Sequence, residues 1–432
     1  MHKMMHKKLV EQSILFASLL KWFAIASLIG IIVGAATTLF LNALGWSTHM
    51  LHQWPQYYLL LPLGMFLSTL IVQYLSPTAE GHGTEQVIEA IHQKSGKIQP
   101  SVVPVKLLAT IITLSSGGSA GKEGPCAQIG AGLASLFADL LRVRNLDRVK
   151  LVVCGISAGF ASVFGTPIAG AIFGVEVLAI GQIQYAVLFP SFVAGIMAYE
   201  TSNYFGITYF HNPIPFNQPF NELFFSEILL IGLACGLCSF VFIEILHLTH
   251  KLSEKIKIWK PFKGLIGGSL VLLTLLISDR YLGLGLTSIE SSLTGHPAPW
   301  YDFLAKMYAT AVTLSFGGSG GIITPIFFIG STFGSFLGLL FHLNPMLLAA
   351  LGMVGLLAGC ANTPIAASIM AMELFGTSIG PYAAVIAIIS FVFTGHRSVY
   401  PSQILTLRKS DSLDIHLGDP IRNVKHGDYH RH

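Results

Sequence analysis

Long apolar runs, separated by short polar or glycine-rich breaks, dominate this chain. They occupy Ile14–Leu44, Tyr58–Leu75, Tyr185–Ala198, Ile228–Leu248, Leu265–Ile277 and Tyr382–Thr394. A helix needs about 20 apolar residues to cross the roughly 30 Å hydrocarbon core of a bilayer, so the longer runs predict transmembrane helices. The shorter ones, interrupted by Gly or Pro, predict half-spanning helices. Such helices survive in a membrane only when buried against protein or lining a wet cavity. The sequence holds 44 Gly and 20 Pro, enough for many such breaks. The predicted fold class is an all-α polytopic membrane protein, one integrated bundle in a lipid bilayer.

The pattern of breaks repeats. Gly117-Gly118-Ser119-Ala120-Gly121-Lys122-Glu123-Gly124-Pro125 returns as Gly317-Gly318-Ser319-Gly320-Gly321-Ile322-Ile323-Thr324-Pro325. Thr166-Pro167-Ile168-Ala169 with Glu176 returns as Thr363-Pro364-Ile365-Ala366 with Glu373. Two matched blocks in the same order indicate a duplicated membrane unit, with the substrate held by broken helices at matched positions. The expected organisation is a basic cytoplasmic leader at residues 1–10, a first membrane repeat at 11–213, a second at 214–407, and a short polar cytoplasmic tail at 408–432. The Pro- and Phe-containing stretch Asn212–Asn221 is the expected connection between the halves. The tail lacks apolar periodicity and is expected to be disordered, with His426, His430 and His432 free of metal.

Composition sharpens the class. Hydrophobic residues make up 53% of the 432 and charged residues 11%, against roughly 25% charged in a soluble domain. A net charge of +4 gives no reason to expect nucleic acid. The basic segments His2–Lys8 and Lys251–Lys263 belong on the cytoplasmic side by the positive-inside tendency. The first apolar run carries Lys21 and no small-residue cleavage site, so it reads as a retained helix. Cys126, Cys154, Cys235, Cys238 and Cys360 all lie in apolar surroundings and read as packing residues; no metal or other cofactor is expected.

The chemistry lies in the repeated loops. Glycine lets backbone N–H groups turn inward and approach a ligand closely. Each loop precedes an apolar helix, so unpaired N–H groups and the positive end of a helix dipole point at it. That is an anion site built from partial charges, strong enough to strip some hydration and weak enough to release the ion. Glu123 breaks the symmetry, since its counterpart is Ile323. An acid buried in a bilayer is costly without a function. Ionised, Glu123 can occupy the anion site itself and plug it; protonated, it should leave, which links occupancy to pH. Lys122 beside it is a candidate partner for its charge.

Gly121-Lys122-Glu123-Gly124-Pro125 resembles the Gly-Arg/Lys-Glu-Gly-Pro element of the CLC family of chloride channels and chloride/proton exchangers. Gly320–Pro325 resembles that family's Gly-Gly-Ile-Phe-x-Pro element, and Tyr400 in Ser398-Val399-Tyr400 resembles the tyrosine at the start of its last helix. The likeness covers about residues 12–408. It implies a CLC-type bundle of about 18 helices in two inverted-topology repeats, without C-terminal regulatory domains. It also implies a homodimer with a pore in each subunit, in a bacterial inner membrane, with both termini cytoplasmic. Glu123 would be the gating glutamate. Tyr400, Gly121, Lys122, Gly124, Ile322, Ile323 and Thr324 would surround the chloride, with bromide or nitrate as further candidates.

Two departures from the family pattern bear on function. The Gly-Ser-Gly-Ile-Pro element corresponds to Gly81-His82-Gly83-Thr84-Glu85, with His82 at the serine and Glu85 at the proline. An imidazole could donate one N–H to the anion, or turn away and leave binding to backbone amides. Exchangers of the family carry a second, internal glutamate for protons; here that position is Val177, which cannot hold a proton, after Glu176. On this ground the expected function is chloride-selective transport as a passive, pH- or voltage-gated channel, with a chloride/proton antiporter as the alternative. Glu123, Glu176 and Val177 mark the candidate proton path. A fluoride exchanger ranks third, because Gly124-Pro125 retains the ending that the fluoride branch tends to lose. An intramembrane serine hydrolase on Gly117-x-Ser119-x-Gly121 is remoter: that motif needs a strand–turn–helix setting, and a nucleophile needs no duplicate. The protein is not expected to be an enzyme.

Overall fold

The computed structural model describes residues 2–143, 145–216, 221–413 and 415–424. Among these residues there are sixteen α-helices, six 3-10 turns and two short strands, an all-α membrane-type bundle. Some runs end as 3-10 turns, Leu272–Leu276 among them. Four helical stretches are long and apolar enough to cross a bilayer: Lys7–His52, Tyr57–Leu75, Glu222–Lys255 and Ile323–Leu340. Others, such as Val102–Ser115 and Pro167–Glu176, are too short to span, and their buried faces pack inside the bundle. That arrangement satisfies broken backbone at membrane depth through neighbouring helices.

The two faces can be told apart by following one helix. Glu123–Leu140 begins at a mouth lined by Lys122 and ends at the opposite face. There Asp139 pairs with Arg148 at 2.5 Å, and Asp147 pairs with Lys21 at 3.7 Å. The long first helix, His2–His52, ends on the mouth side, where Thr48 and His49 lie near Lys122. Its start therefore lies toward the face opposite the mouth.

The repeats meet back to back, and many of the bonds at the join have a mirror image. Gly121 N–H donates to the Gly321 carbonyl at 2.7 Å, and Gly321 N–H to that of Gly121 at 2.6 Å. Ser119 N–H donates to Thr313 Oγ1 at 3.1 Å, and Ser319 N–H to Thr113 Oγ1 at 3.1 Å. The fully buried Lys106 donates to the carbonyls of Ala79 and Gly81, and Lys306 likewise to those of Tyr281 and Gly283. The lysine pairing exposes a further repeat, Gly81-His82-Gly83 with Gly283-Leu284-Gly285.

The glutamates of the second repeated block also cross over. Glu176, at the end of Pro167–Glu176, accepts from Ile365 N–H at 3.0 Å and Ala366 N–H at 2.8 Å, at the start of Pro364–Phe375. Glu373 reciprocates on Ile168 N–H at 3.0 Å and Ala169 N–H at 2.8 Å. Each carboxylate thus caps the other repeat's helix, using both oxygens on donors a helix start leaves unpaired. Glu176→Gln keeps one acceptor and turns an amide donor toward an N–H. It should destabilise the fold by about 1.5–3 kcal/mol. Halide titration should show unchanged binding, and thermal unfolding in detergent should show the loss; an unchanged unfolding curve would refute the capping role.

The C-terminal segment is more ordered than its composition predicts. Ile404–Leu405 pairs in parallel with Ala179–Ile180, and Ile415 and Ile421 pack on both strands. Arg422 N–H donates to the Pro401 carbonyl at 3.0 Å, and Lys409 Nζ reaches Asn362 and the Phe391 carbonyl. A handful of apolar residues at irregular spacing suffices, because the bundle supplies the other half of the contact. His426, His430 and His432 lie outside the described residues.

The five cysteines are buried as free thiols among the described residues. Cys235 packs against Gly355 between two helices, in keeping with a packing role.

Candidate functional site

Three glycine-containing loops converge where the repeats join. The first is Gly81–Glu85, leading into Thr84–Lys94; the second is Gly121–Gly124, leading into Glu123–Leu140; the third is Gly320–Thr324, leading into Ile323–Leu340. Gly83 has φ +88°, which suits glycine, and its neighbour His82 touches Gly124 through its carbonyl. A Cβ on Gly124 would overlap that carbonyl. Glycine is required here because three helix starts must approach one another at backbone distance.

The side chain of Glu123 crosses from its own repeat into the other. Its carboxylate accepts from Thr324 N–H at 3.1 Å and from the Thr324 hydroxyl. These are first-turn donors of Ile323–Leu340, which an anion could otherwise use. Glu123 is almost fully buried, with Lys122 within electrostatic range. Ile322 and Ile323 are buried beside Thr324 and close the site with apolar surface. Toward the mouth a cavity of about 370 Å³ opens from Glu123 and Thr324, lined by Lys122, Phe164, Phe327 and Glu290. The rings of Phe164 and Phe327 lie 5.1 Å apart.

On the other side of Glu123 stand His82 and Tyr400. Their rings are 5.4 Å apart. Neither His82 Nδ1 nor the Tyr400 hydroxyl has a hydrogen-bond partner among the described residues, although both atoms are buried and the Thr84 side chain lies beside the hydroxyl. Buried polar atoms left unpaired cost about 1–3 kcal/mol each, and here two of them stand on neighbouring rings, which makes this pair a candidate place for a ligand. The Tyr400 backbone is fixed by Ser398 and by Gln403, whose amide donates to the carbonyls of Val177 and Ala361 at 2.8 Å each. Gln403→Ala would orphan both carbonyls and loosen the Tyr400 loop. We expect a clear loss of thermal stability and weaker halide binding together, and a change in only one of the two would refute the shared role.

The structure therefore brings together Glu123, Thr324, Ile322, Ile323, Gly121, Lys122, Gly124, His82 and Tyr400. It does not bring Glu176 to this centre, since both its oxygens are held by Pro364–Phe375. Val177 is fully buried, with its carbonyl bound to Gln403. Three features of the site are not evident from the sequence. The Thr324 hydroxyl is one, and its signal was a lone hydroxyl in an apolar stretch. Gln403 is another. The third is the attachment of Glu85 Oε1 to Ser402, by N–H at 3.0 Å and Oγ at 2.5 Å, which nothing local to either residue betrays.

Known proteins resemble this chain in sequence and in fold. The sequence matches the Voltage gated chloride channel family over residues 64–395. It is 37% identical over 401 residues to a chloride/fluoride channel protein of Pseudomonas syringae pv. tomato, covering 91% of this chain and 88% of that one. It is 28% identical over 310 residues to a voltage-gated ClC-type chloride channel of Escherichia coli, covering 68% and 72%. Among solved structures, a CLC-type fluoride/proton antiporter superposes with a TM-score of 0.85 at 30% identity, covering 90% of this chain and 98% of that one. A slow cyanobacterial Cl-/H+ antiporter superposes with a TM-score of 0.76 at 19% identity, covering 86% and 94%, and shares the fold.

Proposed function

This chain belongs to the voltage gated chloride channel family, the CLC proteins, and from that premise we propose that it exchanges a small halide, fluoride or chloride, for protons, with Glu123 carrying the proton. The family is one of membrane anion channels and transporters. The observation that carries the finer reading is the Glu123 carboxylate seated on the Thr324 donors. A carboxylate and a halide that want the same donors exclude one another. Protonation removes the carboxylate's charge and weakens its hold, so a halide enters as a proton arrives. The Tyr400 hydroxyl, with His82 Nδ1 when that nitrogen carries its proton, would receive the halide on the inner side.

Fluoride stands beside chloride because two similar proteins, at 37% and 30% identity, are named for it. We also propose, from the family resemblance, a homodimer with one such path per subunit, in a bacterial inner membrane.

The second reading is the passive chloride channel, and Val177 is what favours it: this position offers no proton acceptor. Liposome flux with simultaneous halide and pH recording separates the two. Exchange predicts that an outward halide gradient draws protons inward, uphill, at a fixed ratio. Halide release without proton movement would overturn exchange and leave the channel.

A further inference from the structure

We propose that Glu85 is the proton acceptor on the face opposite the mouth, passing protons through the His82–Tyr400 pair to Glu123; this rests on the exchange reading above. The starting observation is a carboxylate only half used. Glu85 Oε1 is held by Ser402 N–H and Oγ, while Oε2 is buried with no partner among the described residues. A buried oxygen left without a donor is one on which a proton can reside.

Its position fits the task. Glu85 lies in the first turn of Thr84–Lys94, three residues from His82, and Ser402 follows Tyr400 by two. Tyr400 is within electrostatic range of both Glu85 and Glu123. His82, through its carbonyl, abuts Gly124 next to Glu123. The unpartnered His82 Nδ1 and Tyr400 hydroxyl thus form the polar link between the two acids, and proton transfer needs such groups in reach, directly or through one water. A proton taken up on Glu85 Oε2 leaves through this link and forms the O–H of Glu123, and Glu85 returns to its ionised state.

Other buried acids are spoken for. Glu176 spends both oxygens on a helix start, and Asp302 binds Arg280 at 3.1 Å and the Tyr281 hydroxyl at 2.7 Å. The charged groups facing Glu85 are Glu89 on the same helix and Arg422 from the C-terminal segment, which pair at 3.6 Å. Lys106 faces His82 from below the same loop. Repeat symmetry gives an independent argument. The mates of His82, Glu85 and Glu123 are Leu284, Thr287 and Ile323, none of them titratable at neutral pH. Many structural bonds at the join are thus symmetric, while His82, Glu85 and Glu123 stand only in the first repeat.

The test is Glu85→Gln in the full chain, reconstituted in liposomes with halide and pH recorded together. We expect proton flux to fall tenfold or more while halide flux stays within twofold of wild type, and Glu85→Asp to restore part of the coupling. Ser402→Ala removes a donor to the ionised carboxylate, so the pH of half-maximal proton flux should move upward. This second variant carries the test if Glu85→Gln fails to fold. A wild-type coupling ratio in Glu85→Gln, or an unmoved pH profile in Ser402→Ala, overturns the role of Glu85 and leaves exchange standing. Loss of halide and proton flux together in a folded Glu85→Gln would assign Glu85 to the anion path and overturn it too. Wild type that carries halide and no protons removes the exchange reading, and this inference with it.

Discussion

Glu123→Gln is expected to end proton movement entirely while halide continues to pass, turning the protein into an anion leak that ignores pH. The Gln side chain has nearly the same shape but no charge, so it competes poorly for Thr324 N–H and hydroxyl, the donors Glu123 holds. A charge-assisted hydrogen bond is roughly twice as strong as a neutral one, so the balance at the site tips toward the halide. In wild type, falling pH protonates Glu123 and should raise halide flux; in the variant that rise should vanish. Flux measured between about pH 3.5 and 7.5, a range spanning the usual carboxylate and imidazole titrations, decides the point. A wild-type pH profile in Glu123→Gln would defeat the gating role. A variant that does not fold would make Glu123 a structural cap.

The second large effect is expected at Tyr400 and His82. Tyr400→Phe keeps a large, fully buried ring and deletes only the unpartnered hydroxyl. His82→Ala deletes the unpartnered Nδ1. Losing one hydrogen bond to a charged ligand costs about 1.5–3 kcal/mol, which is roughly a tenfold to hundredfold loss of halide affinity by isothermal titration. Tyr400→Phe should not hurt folding, since it removes only the hydroxyl, whereas His82→Ala also removes a ring packed beside Tyr400 and should cost some stability, so its halide affinity is read on the folded fraction. If both variants bind halide as tightly as wild type, the backbone amides at the three helix starts are the sole donors.

How far the sequence carried the reading depended on whether a feature was local. The duplicated glycine loops and the lone acid at Glu123 could be read because each is a short pattern whose chemistry is set by its own residues. The apolar runs gave the membrane class for the same reason. Partners across the repeat join could not be read. Glu176 and Glu373 were recognisable as a matched pair, yet nothing in either segment says that each acid caps the other's helix. The second glycine pair, Gly283-Leu284-Gly285, stayed hidden because its polar positions have diverged; Lys306, which binds it as Lys106 binds Gly81, makes it visible in three dimensions. The ordered C-terminal segment was hidden in the same way, since its apolar residues complete a cluster begun by Ile180.

Those crossed caps bear on how the protein is made. When the first repeat leaves the ribosome, the starts of its broken helices at Ile168 and Ala169 have no acceptor, because Glu373 is not yet synthesised. Ser119 N–H waits likewise for Thr313, and Gly121 for Gly321. Unpaired backbone donors are costly at membrane depth, so the first half must remain hydrated, or held by the insertion machinery, until the second arrives. Biogenesis is then a single late closing step, with the halves completing each other at once. Two separately encoded halves should be degraded when produced singly and rescue one another when produced together.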